Sequence, residues 1–209
     1  MHGFWGEWAL LAAVMATAAA SPGPDFVIAV RNSVLHARRA GLMTALGFAL
    51  GVGVHAGYSL AGIGAVIAGS EMLFTAVRFG GAVYLAWLGL RGLMSKGAGA
   101  DSIQADGLLQ SRLSDGRAVW MGFLTNLLNP KAVLFFIAVF TQVVRPDVPV
   151  TVQSVYALTC MIIVGGWFAF VALVLTSPAV RAPFFRASIW IDRLCGALLI
   201  VFSLRLIMA

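Results

Sequence analysis

Residues 21–25 read Ser-Pro-Gly-Pro-Asp and interrupt an apolar run over residues 7–30. Proline lacks an amide hydrogen and its ring clashes with the carbonyl group four residues earlier, so Pro22 and Pro24 break a regular helix. The carbonyl groups of Ala18 and Ala20, four residues before the two prolines, therefore lose their helical partners. In an apolar environment such carbonyl groups must face protein or a wet cavity. This break is a candidate binding site, with a plain proline kink as the alternative.

A second break lies farther along the chain, where residues 126–131 read Asn-Leu-Leu-Asn-Pro-Lys. Pro130 leaves the carbonyl group of Asn126 without a helical partner for the same reason. A short polar side chain directly before a helix can accept hydrogen bonds from the first amide groups of that helix. We therefore expect Asn129 to cap the half-helix after this break, and Asp25 to cap the half-helix after the first one.

The composition indicates the environment of these breaks. Hydrophobic residues make up 61% of the 209 residues and charged residues 11%, against roughly 45–50% and roughly 25% in soluble domains. The mean hydropathy is +0.95. These values exclude a soluble globule, a disordered chain and a disulfide-rich secreted scaffold, and they indicate an integral membrane protein. The net charge of +6 then indicates basic cytoplasmic loops and no nucleic-acid partner.

Six apolar runs are long enough to cross a lipid bilayer, which takes about 20 residues of helix. None alternates with the period of a strand, so we predict helices and not a barrel. The first run resembles a signal peptide, but no basic residue precedes it, and we interpret it as a retained span. The predicted spans are residues 7–30, 42–68, 72–94, 118–144, 151–176 and 187–208.

A long polar segment between the third and fourth spans divides the chain. Residues 1–94 form the first three-helix half, residues 95–117 a cytoplasmic linker, and residues 118–209 the second three-helix half. Halves with an odd number of spans are related as inverted repeats, and the prolines that interrupt a span fall in the first span of each half. We therefore predict an all-α integral membrane protein of six transmembrane helices, arranged as two inverted three-helix repeats with the first helix of each half broken at proline.

Basic residues mark the predicted cytoplasmic side. They cluster in the first, third and fifth gaps between spans. The N-terminal tail and the even-numbered gaps together contain a single basic residue, Arg145. By the positive-inside rule the odd-numbered gaps are cytoplasmic, and both termini then lie outside, in the periplasm. The basic residues of the odd-numbered gaps are Arg31, Arg38, Arg39, Arg91, Lys96, Arg112, Arg117, Arg181 and Arg186.

Lys131 is the charge that most requires an explanation. It lies near the middle of its span and beside a helix N-terminus, where a cation is disfavoured. Asp25 holds the corresponding place in the other half. One interpretation is a permanent ion pair that locks the helices. The other is an amino-acid site, with Lys131 and helix amides on the substrate carboxylate and Asp25 and freed carbonyls on its ammonium group. The two are compatible if the pair opens to admit substrate. The predicted substrate-binding residues are Pro22, Gly23, Pro24, Asp25, Asn126, Asn129, Pro130 and Lys131.

The second span carries a histidine and a series of glycines. His55 lies at its centre and is a candidate for proton coupling, with a neutral histidine bonded to a carbonyl group as the alternative. The pairs Gly47/Gly51 and Gly53/Gly57 have the small-residue spacing that allows close contact between helices.

Other polar residues lie nearer the predicted membrane surfaces. Tyr84 and Trp87 either line a cavity or belong to an interfacial aromatic belt, and we favour the belt. Asp192 and Arg193 lie near the predicted cytoplasmic start of the last span, and we interpret both as interfacial.

The chain has no recognisable enzyme motif, cofactor motif, metal site or ATP-binding domain, so active transport must use an ion gradient. A membrane thiol–disulfide electron carrier is an alternative, but it requires paired cysteines near the breaks, whereas Cys160 and Cys195 lie in the fifth and sixth spans. Export of metal ions or toxic compounds is another alternative. Metal export would favour more acidic or histidine ligands within the spans.

With these motifs in place, the sequence resembles the LysE/RhtB (lysine exporter) family of amino-acid efflux proteins. The likeness extends in register over residues 21–142. The motifs that carry it are Pro22-Gly23-Pro24-Asp25-Phe26, Arg31-Asn32-Ser33, Arg38-Arg39-Ala40-Gly41, Ala45-Leu46-Gly47, Arg78-Phe79-Gly80-Gly81-Ala82-Val83-Tyr84-Leu85-Ala86-Trp87-Leu88-Gly89 and Gly122-Phe123-Leu124-Thr125-Asn126-Leu127-Leu128-Asn129-Pro130-Lys131-Ala132.

The resemblance implies a multi-pass protein of the bacterial inner membrane that exports amino acids, driven by protons. It implies that both proline breaks flank the transport pathway, and it is compatible with a homodimer in the lipid bilayer. Family members export different amino acids. Because few fixed charges remain to hold a charged side chain, we favour a neutral or small substrate, such as threonine or homoserine.

Overall fold

The structure is a computed structural model that describes residues 2–21, 23–69, 71–95, 113–143 and 148–208. All regular structure in these ranges is α-helical. Pro22 and most of the predicted linker fall outside the described residues. The helices are α1 (His2–Ala20), α2 (Pro24–Leu35), α3 (Ala37–Gly69), α4 (Glu71–Leu93), α5 (Asp115–Leu127), α6 (Pro130–Val143), α7 (Val150–Val174) and α8 (Pro178–Met208).

Both predicted breaks are present, and the chain bends sharply at each. The axes of α1 and α2 meet at 60°, and those of α5 and α6 at 61°. Pro24 and Pro130 are the first residues of α2 and α6. Proline is tolerated at the start of a helix, where its missing amide hydrogen would have no helical partner, so each of these prolines begins a new half-helix.

Two described helices, and two further bent pairs, have the length and hydropathy of membrane spans. Ala37–Gly62 of α3 and Val150–Val174 are each long and apolar enough to cross a bilayer, and the pairs α1–α2 and α5–α6 meet the same criterion when each pair is one bent span. α4 and α8 coincide with the third and sixth predicted spans. Their 23 and 31 residues measure about 35 and 46 Å at 1.5 Å per residue. The protein is therefore all-α and of the membrane type, and the six-span inverted repeat stays a prediction.

The central helix α3 packs against α5 and α7, and its contact with α5 is made by backbone atoms. A β-carbon added at Gly47 would overlap the carbonyl oxygen of Val119, and one added at Gly122 would overlap that of Thr44. At Gly51 it would lie 2.7 Å from Oδ1 of Asn126, a residue of the second break. The predicted Gly47/Gly51 contact is therefore confirmed, and it sets the distance between α3 and that break.

A second glycine-lined crossing joins α4 and α8. A β-carbon at Gly89 would lie 2.7 Å from the carbonyl oxygen of Gly196, and one at Gly196 would lie 2.5 Å from that of Gly89. One turn farther along α4, a β-carbon at Gly92 would lie 2.9 Å from the carbonyl oxygen of Asp192. The backbones of these two helices are thus in contact over about one turn.

Two predicted gaps are largely helical. In the first gap, residues 31–41, only His36 interrupts the helices, and α3 begins at Ala37 with a φ angle of 78°. A positive φ angle is strained for alanine and gives the chain its sharp turn between α2 and α3. The fifth gap, residues 177–186, belongs to α8 from Pro178 onward. The basic residues of these two predicted gaps therefore do not mark the ends of the helices.

The second glycine pair makes less contact than predicted. Gly53 faces α7, where a β-carbon would lie 3.2 Å from Sδ of Met161. Gly57 has no atom within 4 Å of that position, because it lies on an exposed face of α3. Only the first of the two predicted pairs therefore forms a close helix contact along its length.

Candidate functional site

The two breaks meet at the carboxylate of Asp25, which is 9% exposed. Its Oδ2 accepts a hydrogen bond of 2.7 Å from Nδ2 of Asn126, and its Oδ1 accepts one of 3.0 Å from Nδ2 of Asn129. The prediction that Asp25 caps α2 is wrong, since Gly23 holds the N-cap position and no side chain caps this helix. Pro24 takes the first helical position, which places Asp25 inside the first turn with its carboxylate toward the second break.

Asn129 caps α6 as predicted. Its Oδ1 accepts a hydrogen bond of 3.0 Å from the backbone amide of Lys131, while its Nδ2 donates to Asp25. The side-chain amide can serve both partners because it carries an acceptor and a donor. A buried carboxylate must be hydrogen-bonded, and the two asparagines satisfy it without neutralising its charge.

The side chain of Lys131 extends from the second break to the first. Its Nζ donates hydrogen bonds to the carbonyl oxygens of Ser21, at 2.8 Å, and Ala18, at 3.4 Å. The carbonyl group of Ala18 is one that the break was predicted to free, whereas Ser21 was not predicted. Gly23 lies against this side chain, since a β-carbon there would be 3.6 Å from Nζ. Within the described residues, no ion pair joins Lys131 to Asp25, so the two charges have separate partners in this structure.

Asp25 and Lys131 line one pocket between the breaks, with a volume of about 50 Å³. Among the described residues, they are the only charged groups in its wall. Ligand pockets usually measure about 300–1,000 Å³, so this pocket has room for water but not for an amino acid in this conformation. Four aromatic side chains form much of the rest of the wall: Phe26, Phe135, Phe136 and Phe168.

His55 is fully buried beside this pocket and connects to it through Asn126. Its Nε2 lies 3.1 Å from the backbone carbonyl oxygen of Asn126, the carbonyl group that Pro130 was predicted to free. Its Nδ1 lies 2.8 Å from the hydroxyl oxygen of Tyr58. Because a carbonyl oxygen only accepts, Nε2 carries a hydrogen, and the Nδ1 of a neutral ring accepts from the tyrosine hydroxyl. The predicted bond from a histidine to a carbonyl group is therefore present.

A second, larger cavity adjoins the pocket and has a volume of about 700 Å³. We call it the vestibule. It lies between α4 and the two proline breaks, with Asp192 of α8 in its wall, and Lys131 belongs to the walls of both spaces. Tyr84 and Trp87 therefore line a cavity, which is the alternative that we did not favour. Tyr84 also donates a hydrogen bond of 3.4 Å to the carbonyl oxygen of Lys131. The polar and aromatic residues of the vestibule are Ser21, Tyr84, Trp87, Arg91, Ser95, Asn129, Lys131 and Asp192.

Asp192 and Arg91 are the functional candidates that the sequence did not predict. Asp192 is buried within the protein, at 4% exposure, and its neighbour Arg193 is exposed. The interpretation of both as interfacial, which concerns their depth in the bilayer, stays a prediction. Gly92 directly follows Arg91, and Gly196 lies one helical turn after Asp192. Small residues at a helix crossing are the sequence signal that could have identified the two.

Comparison with known proteins identifies the family. The family model of the LysE type translocator matches residues 16–209. The chain belongs to the LysE translocator family. This translocator is 35% identical over 204 residues to the threonine efflux protein of Escherichia coli (strain K12), which covers 95% of this chain and 96% of the relative. No solved structure matches the chain.

Two further relatives are similar over different shares of the chain. The threonine efflux protein of Salmonella typhi is 36% identical over 203 residues, covering 95% of this chain and 96% of the relative. The homoserine/homoserine lactone efflux protein of Salmonella typhimurium (strain LT2) is 31% identical over 133 residues, covering 64% of this chain and 62% of the relative. These relatives confirm the resemblance found in the sequence.

Family membership decides between the main alternatives. The protein is a membrane translocator and not an enzyme. The structure gives the electron-carrier alternative no support, since Cys160 and Cys195 are both free and buried. In the described part of the chain, no group of three or more His, Cys, Asp or Glu side chains is placed to hold a metal ion.

Proposed function

We propose that this translocator exports a small, neutral amino acid, of the size of threonine or homoserine, from the cytoplasm across the bacterial inner membrane in exchange for protons. One observation carries the proposal. The carboxylate of Asp25 and the ammonium group of Lys131 line the same pocket, and each is bound to neutral partners. The efflux of threonine and of homoserine by two relatives supports an amino acid as the substrate.

The existing hydrogen bonds indicate how an amino acid would bind. The substrate carboxylate would take the ammonium group of Lys131, which would then release the carbonyl oxygen of Ser21. That carbonyl group and the carboxylate of Asp25 would accept from the substrate ammonium group. Each hydrogen bond that breaks within the pocket is replaced by one to the substrate, so no buried charge is left without a partner.

The remaining wall of the pocket favours a neutral side chain. Apart from Asp25 and Lys131, the described residues of the wall are apolar or uncharged. A charged substrate side chain would therefore lie among phenyl rings without a counter-ion, which is costly at membrane depth. A short apolar or hydroxyl-bearing side chain meets no such penalty.

The pocket must widen before an amino acid can enter, since its volume is about 50 Å³. The half-helices α2 and α6 begin at the two breaks and carry Asp25 and Lys131, so a change of angle at the prolines would separate the walls. Such a change would also alternate the side from which the pocket is reached. We propose alternating access of this kind. The proposal also includes two inverted three-helix halves, both termini on the periplasmic side, and a homodimer.

His55 and Asp25 are the proposed proton carriers. The backbone carbonyl group of Asn126 accepts from His55, and its side-chain amide donates to Asp25, so one residue contacts both titratable groups. A proton bound to His55 would change the charge next to the carboxylate that holds the substrate ammonium group. Proton binding and substrate release would thereby be coupled.

Counterflow in proteoliposomes tests the proposed function. The purified translocator would be reconstituted with an internal excess of one unlabelled amino acid, and the uptake of its labelled form would be followed. We expect threonine and homoserine to exchange well above protein-free liposomes, and lysine and glutamate to exchange little. If no amino acid moves above the liposome background, the proposal is wrong. If lysine moves best, the argument for a neutral side chain is wrong.

A further inference from the structure

We propose that the vestibule is a second binding site for an amino-acid zwitterion, which it captures before the substrate reaches the pocket between the breaks. Asp192 binds the ammonium group and Arg91 the carboxylate. This inference rests on the proposed function, and it extends that function to residues of α4 and α8, outside the proline breaks.

Asp192 has the environment of a site for a cation. Its side chain is buried at 4% exposure, and it lines the vestibule. Its Oδ2 accepts a hydrogen bond of 2.5 Å from Oγ of Ser95, while its Oδ1 has no hydrogen-bond partner among the described residues. No ion pair neutralises it in the described part of the chain. A buried carboxylate with one neutral partner and one open oxygen is suited to an ammonium group from the cavity.

Arg91 supplies the opposite charge in the same cavity. Its guanidinium group lies 5.1 Å from the ring centroid of Trp87, which holds it in place through a cation–π contact. That contact uses the face of the guanidinium group and leaves its hydrogens available for a carboxylate. Within the described residues, Arg91 forms no ion pair either.

The glycine crossing of α4 and α8 places these two charges in one wall. Gly92 follows Arg91 in the chain, and its backbone packs against the carbonyl oxygen of Asp192. A larger residue at this position would separate the helices that carry the two charges. The arrangement therefore offers a fixed cation and a fixed anion, the complement of an α-amino acid.

The sizes of the two spaces agree with a capture step. The vestibule, at about 700 Å³, lies within the range of about 300–1,000 Å³ usual for ligand pockets, whereas the pocket between the breaks measures about 50 Å³. Lys131 and Asn129 line both. A zwitterion held in the vestibule is therefore adjacent to the ammonium group that would bind its carboxylate in the next step. Arg91 and Ser95 of the vestibule lie at the C-terminal end of α4, which the basic residues predict to be cytoplasmic, the side from which an exporter takes its substrate.

Transport into inside-out membrane vesicles tests this site, since the cytoplasmic face of the protein is then exposed to the added substrate. The variants are Asp192→Asn and Arg91→Gln in the full chain, and the control is Arg193→Gln, which removes an exposed charge beside Asp192. We expect each test variant to raise the KM for threonine by about tenfold, as the loss of one charged hydrogen bond implies. The maximal rate should change little, and the control should match the unchanged protein.

Modified substrates separate binding from a structural role. N-acetylthreonine lacks the ammonium group, and threonine methyl ester lacks the carboxylate. We expect Asp192→Asn to reduce the preference for threonine over the N-acetyl compound, and Arg91→Gln to reduce the preference over the ester. An unchanged KM and unchanged preferences in both variants, with threonine transported by the unchanged protein, would overturn the vestibule site alone. No transport of any amino acid by the unchanged protein would instead contradict the proposed function.

Discussion

The carboxylate of Asp25 accepts a hydrogen bond of 2.7 Å from the side-chain amide of Asn126, although the two residues belong to different proline breaks. We expect Asn126→Asp to destabilise the protein by about 1–3 kcal/mol, because it replaces a donor by an acceptor and leaves buried groups unsatisfied. The double change Asp25→Asn with Asn126→Asp restores a donor opposite an acceptor and should recover most of this loss. Thermal unfolding in detergent measures both effects.

Transport should not recover with stability in that double variant. The carboxylate would then lie at position 126, on the second break, and no longer at position 25 on the first break. Counterflow of threonine should therefore stay near the liposome background in the double variant. Full recovery of counterflow would show that the exact position of the negative charge is unimportant and would contradict the proposed binding mode.

Lys131→Met keeps the length and apolar part of the side chain but removes the ammonium group. We expect the transport rate at low substrate concentration to fall by about tenfold to a hundredfold, since hydrogen bonds to charged groups contribute about 1.5–3 kcal/mol. Initial counterflow rates measure this loss. A variant that unfolds normally and transports at the original rate would refute a role for Lys131 in substrate binding.

His55→Gln separates proton coupling from substrate exchange. Glutamine can donate to the carbonyl oxygen of Asn126 but does not take up a proton near neutral pH. We expect counterflow, which needs no net proton movement, to continue at a similar rate. An imposed pH gradient should accelerate net transport by the unchanged protein and not by the variant. Equal acceleration in both would exclude His55 as a required proton carrier.

Gly122→Ala tests the backbone contact between α3 and α5. The added β-carbon would overlap the carbonyl oxygen of Thr44, and we expect a loss of about 1–3 kcal/mol of stability from overpacking. Gly57→Ala is the matched control, because nothing lies within 4 Å of that position. It should leave the stability unchanged or raise it by about 0.5–1 kcal/mol, the usual gain for alanine in a helix. Equal effects of the two changes on thermal unfolding would argue against this contact.

The breaks were predictable because proline acts on its own helix. The carbonyl group of Ala18 that accepts from Lys131 and the cap at Asn129 follow from chain positions alone. The carbonyl group of Asn126 accepts from His55 but also from the backbone amide of Asn129, so it is only partly freed. Family membership was equally accessible, since the motifs around these residues are distinctive. Most of what depends on local chemistry could therefore be predicted from the sequence, with the exception of the cap of α2, where Gly23 and not Asp25 holds the N-cap position.

The choice of partners depends on distances between helices and was not predictable. Charge alone favours an ion pair of Asp25 with Lys131, yet each is bound to neutral groups in the structure. The approach of α3 to the second break, set by Gly51, helps to decide which groups meet. Asp192 shows the same limit, because hydropathy does not distinguish a buried face from a surface near the end of a span.

The two glycine-lined crossings constrain how the translocator can move. Each joins helices from opposite predicted halves, α3 with α5 and α4 with α8, and no side chains separate the backbones there. Carbonyl oxygens wedged into a neighbouring helix resist sliding, so the four helices form a fixed frame. Rocking of whole halves would have to pull this frame apart. We therefore expect the half-helices α2 and α6 to rotate about hinges at their prolines while the four helices of the frame keep their positions.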